Sequence, residues 1–231
     1  MRGRPAPLVA FERPALAETA RQLWSLGLGS LPIATLALAF FGVVLEKHAA
    51  LQAQRALLDL DRIGPMFMKL LVREFAPIMA GSVLAARLGS ATGAELAWMD
   101  ASEQLDALSL YGARIGREVY LPRLLAGILG TLLVGVVGVL AASLAAGGFA
   151  QLTGTGRLSA FVSPRLVDGK DLALFWAKLG LDGASLPLAA FLAARRHGRG
   201  PRGIARAAST AVVWGVLCVL VWDILLGLAF A

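Results

Sequence analysis

From Gln22 to Leu45 the chain carries no charged side chain, and the run exceeds the roughly 20 residues with which a helix crosses the hydrocarbon core of a bilayer. A second uncharged run extends from Leu124 to about Gly148. No other feature constrains the fold as strongly. A chain of 231 residues that is 58% hydrophobic has too little polar surface to cover a water-soluble core. In lipid, no water is present to satisfy backbone N–H and C=O groups, so a spanning segment forms its hydrogen bonds internally as a helix.

Three further apolar stretches contain isolated charges. Ile63–Leu88 includes Lys69, Arg73, Glu74 and Arg87; Leu172–Ala194 includes Lys178 and Asp182; Ala207–Phe230 includes Asp223. Together with Leu23–Leu45 and Leu124–Gly148 they predict five spans in one all-α, polytopic membrane domain covering residues 1–231. The first run is also longer than the roughly 7–15 apolar residues of a secretory leader, which predicts an uncleaved span. Ahead of it, Ala15–Leu23 follows Pro14 and reads either as a short helix lying on the membrane surface or as part of a basic arm that includes Arg2, Arg4, Arg13 and Arg21. The fold reading takes the interfacial helix, within residues 1–22.

The net charge is +7, yet its placement argues against a nucleic-acid partner. The basic residues gather between spans: in the N-terminal arm, at Arg114, Arg117 and Arg123, and at Arg195, Arg196, Arg199, Arg202 and Arg206. With five spans these three segments fall on one side, the side that Lys and Arg mark as cytoplasmic. The other connections are mixed: Glu46, Lys47, His48, Arg55, Asp59, Asp61 and Arg62 in one, and Arg157, Arg165, Asp168, Lys170 and Asp171 in the other. The expected topology has a cytoplasmic N-terminus and a periplasmic C-terminus. The single cysteine, Cys218, lies inside an apolar run and reads as a small core residue.

Gly81, Ala85, Gly89 and Gly93 recur every four residues. That spacing places them on one helix face, where small side chains let two backbones approach closely in lipid. Downstream, Asp100 and Glu103 have the spacing of a capping box with Asp as the cap, and Gly112 suits a helix terminator. A helix of two to three turns fits within residues 100–112, too short to cross a membrane. It places Leu105 and Leu108 on one face and presents Glu103, Gln104 and Asp106 as polar groups. On the cytoplasmic side between two spans, it is either a surface connector or a lever that a soluble partner grips.

Several of these residues form an ordered set of short motifs: Arg73-Glu-Phe-Ala-Pro77, Ala86-Arg87-Leu-Gly89, Ala94-Glu95, Met99, Glu103-Gln-Leu-Asp-Ala-Leu108 and Tyr120-Leu-Pro-Arg123. The set resembles the MlaE-type permease family, whose pattern runs close to R-E-L-x-P, A-G-R-x-G-S, A-E-x-G-x-M, E-Q-I/L-D-A-L and P-R. The likeness is dense over Leu71–Gly127 and continues weakly through Gly203-Ile-Ala-Arg206-Ala and Asp223. It implies the membrane subunit of a lipid-trafficking ABC transporter in the bacterial cytoplasmic (inner) membrane. The implied assembly has two copies of this chain, a dimer of ATPases gripping Ala101–Leu110, an MCE-domain protein on the periplasmic side, and phospholipid as substrate.

The resemblance also implies that Arg73 and Glu74 line a lipid pathway and that Asp223 belongs to it. The family's intramembrane lysine falls on Lys178 or Asp182, depending on how the divergent basic loop 195–206 is aligned. These two residues are four apart, and their pairing is the expectation. Arg73 and Glu74, adjacent on a helix, are expected to find partners elsewhere. No G-x-x-x-x-G-K-[ST] phosphate loop occurs in the chain, so ATP and Mg²⁺ are expected on the partner ATPase, with no cofactor and no catalysis in this chain.

Two rival readings remain at this level. An ion-coupled transporter built on Glu74, Lys178, Asp182 and Asp223 would suit inverted repeats, into which five spans do not divide. A membrane-bound lipid-modifying enzyme is suggested by Asp182-Gly183 followed by Ala193-Ala-Arg195, which is faintly similar to the motif of CDP-alcohol phosphotransferases. That chemistry requires further metal-binding aspartates, and none follows within the next turns.

Overall fold

The structure is a computed structural model and describes residues 15–55, 63–164, 167–197 and 200–230. Arg2, Arg4, Arg13, Asp59, Asp61, Arg62, Arg165 and Arg199 lie outside the described residues, within which every regular element is a helix. Four helical runs are long and apolar enough to cross a membrane: Ala17–Arg55, Gly116–Thr153, Gly169–Arg196 and Pro201–Ala229. These correspond to the first, third, fourth and fifth expected spans.

The first run begins with α1 (Ala15–Gln22), passes through a π-turn at Leu23–Gly27 and a 3₁₀ turn at Leu28–Ser30, and continues as α2 (Leu31–Arg55). The segment expected as an interfacial helix or a basic arm is helical over Ala15–Gln22 and runs end to end into the first span. At about 1.5 Å per residue the 39 residues of Ala17–Arg55 have a contour of about 58 Å, nearly twice the hydrocarbon core of about 30 Å. The run therefore has length to spare on at least one side.

The second expected span is a string of short helices without a gap: α3 (Ile63–Leu70), a π-turn at Leu71–Phe75, α4 (Ala76–Leu84), a π-turn at Ala85–Gly89, and α5 (Ser90–Ala101). The two π-turns hold three of the charges of this stretch, Arg73 and Glu74 in one and Arg87 in the other. Such wide turns recur at functional positions because they displace side chains from the α-helical register.

Asp100 remains inside α5 rather than capping a new helix, which corrects the expected capping box. The break comes at Glu103, whose φ of 58° is left-handed, and α6 follows at Gln104–Leu110 with no side-chain cap hydrogen bond at Glu103. A left-handed residue other than glycine costs about 1–2 kcal/mol; backbone bonds close the corner on both sides, Glu103 N–H donating to Asp100 O at 3.2 Å and Ala107 N–H to Glu103 O at 2.9 Å. The expected terminator is present. Gly112 has φ of 80°; its N–H donates to Ser109 O at 3.0 Å, and Ala113 N–H donates to Leu108 O at 3.1 Å. These two bonds form the Schellman arrangement.

A π-turn at Gly116–Tyr120 leads into α7 (Leu121–Thr153), which occupies the centre of the molecule. It packs on α2, α9 (Gly169–Arg196) and α1, with α8 (Leu158–Phe161) folded back on its end. Gly127 of α7 faces Gly183 of α9 so closely that a Cβ on Gly127 would lie 2.5 Å from Gly183 O. α10 (Pro201–Ala229) packs mainly on α9 and α5.

Candidate functional site

The small-residue face of the second stretch meets a matching face on α10. The buried residues of α10 are Ala207, Ala211, Gly215 and Val219, also four apart. The two rows run antiparallel. A Cβ on Gly81 would lie 2.9 Å from the Val219 side chain, one on Gly215 3.2 Å from Ala85 Cβ, one on Gly89 3.6 Å from Ala211 O, and one on Gly93 2.9 Å from Ala211 Cβ and 3.1 Å from Ala207 O. Gly81, Ala85, Gly89 and Gly93 are thus used within one chain. The α10 row has the same spacing in the sequence, and that periodicity was the signal available for finding it.

This close packing brings the intramembrane charges of three helices together. Lys178 of α9 is 1% exposed; its Nζ lies 2.6 Å from Glu74 Oε2 and 2.6 Å from Asp223 Oδ1. It also donates to the carbonyl of Arg73 at 2.9 Å. The cation therefore has two carboxylates and a backbone oxygen around it, the arrangement that makes a buried charge tolerable.

Lys178 does not pair with Asp182, contrary to expectation. Four-residue spacing places both on one face of α9, but the carboxylates brought by the second stretch and by α10 lie closer. Asp182 faces Gly81 instead: a Cβ there would lie 3.0 Å from Asp182 Oδ2. Asp182 is 1% exposed, and its Oδ1 has no hydrogen-bond partner among the described residues.

Arg73 and Glu74 touch each other, which also departs from the α-helical expectation. Arg73 Nε lies 3.2 Å from Glu74 Oε1, because both lie in the π-turn Leu71–Phe75 and the guanidinium arm is long. Each also has the outside partner that the sequence required. Arg73 reaches Asp171 Oδ1 at 3.3 Å and donates to Phe230 O at 3.0 Å, while Glu74 holds Lys178. Lys69 and Asp171, which no sequence motif marks, extend the network: Lys69 lies 3.4 Å from Asp171 and 3.3 Å from Asp168. The side chains of Arg73 and Glu74 remain 27% and 29% exposed. The cluster therefore has a sealed end at Lys178 and an open end at Arg73 and Glu74.

A second polar centre lies where α5, α6, α7 and α9 meet. Arg123, 6% exposed, pairs with Glu95 at 2.8 Å and donates to Val119 O at 2.6 Å. Leu105 and Leu108 of α6 share the predicted inward face and pack with Met99, Ile115, Tyr120 and Phe191 over Leu96 and Val119. Glu103 and Asp106 face outward, whereas Gln104 is half-buried. Leu110 and Tyr111 are 87% and 85% exposed, so this short helix presents apolar as well as acidic surface. Arg195 stacks over Phe191, 4.5 Å from the ring centroid, placing the basic end of α9 beside α6.

Known proteins share this sequence pattern. The profile of the family described as Permease MlaE matches residues 19–229. A probable ABC transporter permease protein of Rickettsia felis is 27% identical over 210 residues, covering 89% of this chain and 80% of the relative. Its counterpart in Rickettsia typhi is 28% identical over 211 residues with the same coverage. The intermembrane phospholipid transport system permease protein MlaE of Haemophilus influenzae is 35% identical over 112 residues, 47% of this chain and 41% of the relative.

Proposed function

Since the chain belongs to the MlaE permease family, we propose that it is the membrane-spanning subunit of an ATP-driven transporter that moves phospholipid between the bacterial inner membrane and a periplasmic MCE-domain protein. The observation that carries the reading is the convergence of Glu74, Lys178 and Asp223 from three helices, with Arg73 beside them and part open. A phospholipid combines an anionic phosphate with apolar tails. An exposed guanidinium set in an apolar helical body suits that pair, because arginine binds phosphate with a planar fork of donors.

In this reading Ile63–Ala101 is the remaining membrane crossing and brings the total to five, with Lys69, Arg73 and Glu74 partnered by α9 rather than left bare in lipid. The N-terminus is cytoplasmic and the C-terminus periplasmic. Two copies of the chain form the permease, and a dimer of separate ATPases, which bind ATP and Mg²⁺, grips α6. The left-handed corner at Glu103 and the Schellman end at Gly112 set α6 off as a discrete rod. Leu105 and Leu108 pack in one cluster with residues of α5, of the π-turn Gly116–Tyr120 that leads into α7, and of α9. A push on α6 is then delivered to the start of α7 and the end of α9, and α9 carries Lys178. The part-open pair Arg73–Glu74 contacts the headgroup, while Lys178, Asp182 and Asp223 hold the three helices in register.

The test is reconstitution of the full chain, purified with whatever ATPase accompanies it, into vesicles containing a fluorescent phospholipid, with an MCE-domain protein as partner outside. ATP-dependent transfer of the label is expected, together with cytoplasmic labelling of a cysteine placed at Ser102. Isolation without any nucleotide-hydrolysing companion, or labelling of Ser102→Cys from the periplasmic side only, rejects the reading.

A further inference from the structure

Of the cations in the second stretch, Lys69 and Arg73 lie within ion-pair distance of carboxylates. Arg87 does not: among the described residues no carboxylate lies within ion-pair distance of it. Its described contact is one bond, Nη1 donating to Gly29 O at 2.9 Å. That carbonyl belongs to the 3₁₀ turn at Leu28–Ser30, where the first run departs from α-helical hydrogen bonding. One donor of the five on a guanidinium is thus used to tie the second stretch to the first, and the others find no acceptor among the described residues.

The surroundings open outward. Arg87 is half-buried, Gly29 and Ala86 are exposed, and Trp24, whose carbonyl would lie 3.9 Å from a Cβ on Gly29, is 74% exposed. Tryptophan side chains gather at headgroup depth. At about 1.5 Å per residue, Arg87 lies about 21 Å along the stretch from Arg73. That separation is comparable with the hydrocarbon core of about 30 Å, so the two arginines belong to opposite leaflets. An arginine at membrane depth with no counter-ion among the described residues is costly, and an anion supplied by the surroundings removes the cost.

We propose that Arg87, held by the Gly29 carbonyl, is a binding site for the headgroup phosphate of a phospholipid in the leaflet opposite to Arg73. In the topology proposed above this is the cytoplasmic leaflet. The inference rests on the phospholipid reading for its biological sense, but the binding itself does not require transport. Anchoring by Gly29 leaves the fork free to receive two phosphate oxygens side by side, with Trp24 placed to cover the glycerol region and the acyl chains lying along the exposed apolar flank of α2.

The experiment is native mass spectrometry of the full-length chain in detergent, titrated with phosphatidylglycerol, with diacylglycerol and inorganic phosphate as separate competitors. Wild type is expected to bind phosphatidylglycerol, and Arg87→Gln to bind it about tenfold more weakly, a change equivalent to about 1.4 kcal/mol. Diacylglycerol, which lacks the phosphate, and inorganic phosphate, which lacks the chains, are both expected to leave the bound lipid in place. Arg87→Lys keeps the charge and the Gly29 bond but loses the fork. A several-fold loss is expected there, and this variant decides the matter if Arg87→Gln does not fold.

Unchanged phosphatidylglycerol affinity in either folded variant overturns the proposal, as does equal displacement by diacylglycerol. Displacement by inorganic phosphate alone shows a free-anion site and overturns the lipid assignment. A variant that lowers the dimer fraction while leaving lipid affinity intact shows that Arg87 pairs with a carboxylate of a second copy, and also overturns it. Vesicle transfer measured on the same wild-type preparation separates the two levels. Arg87-dependent binding without ATP-driven transfer rejects the transport reading alone, and transfer with Arg87-independent binding rejects this site alone.

Discussion

Lys178 Nζ and Asp223 Oδ1 lie 2.6 Å apart although they come from different helices, and Glu74 from a third helix closes on the same ammonium at the same distance. Removing the cation leaves two carboxylates facing each other with little water. Lys178→Met is therefore expected to lower stability by about 3–5 kcal/mol, as for other buried pairs stripped of one partner. Adding Asp223→Asn is expected to recover part of that loss, because it removes one of the stranded charges. Thermal unfolding of the purified chain in detergent checks both. If Lys178→Met melts like wild type yet transfers no lipid, the lysine touches substrate and is not a clamp.

Arg73 occupies the open end of the same network, 27% exposed and bonded to Asp171 and to the carbonyl of Phe230. Its loss leaves Asp171 with Lys69 and Glu74 with Lys178, so both remain partnered. Arg73→Gln is expected to change the melting temperature by only a few degrees while ATP-driven phospholipid transfer falls about tenfold, in line with loss of a charge-assisted phosphate contact. A transfer rate equal to wild type removes Arg73 from the lipid route.

The places of the apolar helical runs were readable because lipid imposes them: a backbone without water forms its own hydrogen bonds for as long as it is immersed. Their ends were not, since the first run continues past Leu45 to Arg55 and the third past Gly148 to Thr153. The inward face of α6 was readable for the same kind of reason, since the spacing of Leu105 and Leu108 decides which side they occupy. The partner of Lys178 was not. Spacing places Asp182 on its face of α9, but the choice among Asp182, Glu74 and Asp223 depends on how three helices are rotated about their axes, which no single-helix periodicity records. The contact between Arg73 and Glu74 depends on a π-turn, and the corner at Glu103 on a left-handed residue that no local sequence signal marks. Asp100 and Glu103 have capping-box spacing, yet α5 continues through Asp100.

The paired small-residue rows make a graded prediction. A methyl group on Gly89 would lie 3.6 Å from its nearest neighbour, an ordinary contact, whereas on Gly93 it would lie 2.9 Å from Ala211 Cβ and 3.1 Å from the backbone oxygen of Ala207. Gly89→Ala is expected to be neutral or to stabilise by up to about 1 kcal/mol through helix propensity. Gly93→Ala forces α5 and α10 apart and is expected to cost about 1–3 kcal/mol. Melting curves of the two variants give the order, and a Gly93→Ala protein as stable as Gly89→Ala shows that the rows are not in tight contact.

Leu105 and Leu108 are the fastening of α6, and their removal tests whether that helix transmits force. Both pack beneath the rod against the cluster that includes Leu96, Val119 and Phe191, while Glu103, Asp106 and Leu110 stay on its outer surface. Leu105→Ala together with Leu108→Ala leaves the outer surface intact for an ATPase to bind but loosens the rod from α5, from the π-turn Gly116–Tyr120 and from α9. The inner faces are only half-buried, so the loss in stability is expected to stay at the low end of the 2–5 kcal/mol seen for each core leucine. ATP hydrolysis by the assembled complex is expected to continue at a near-normal rate while phospholipid transfer per ATP falls several-fold. Measured together in one vesicle preparation, a parallel fall in both rates means that α6 serves only to bind the ATPase, and an unchanged ratio of transfer to hydrolysis means that force passes through another contact.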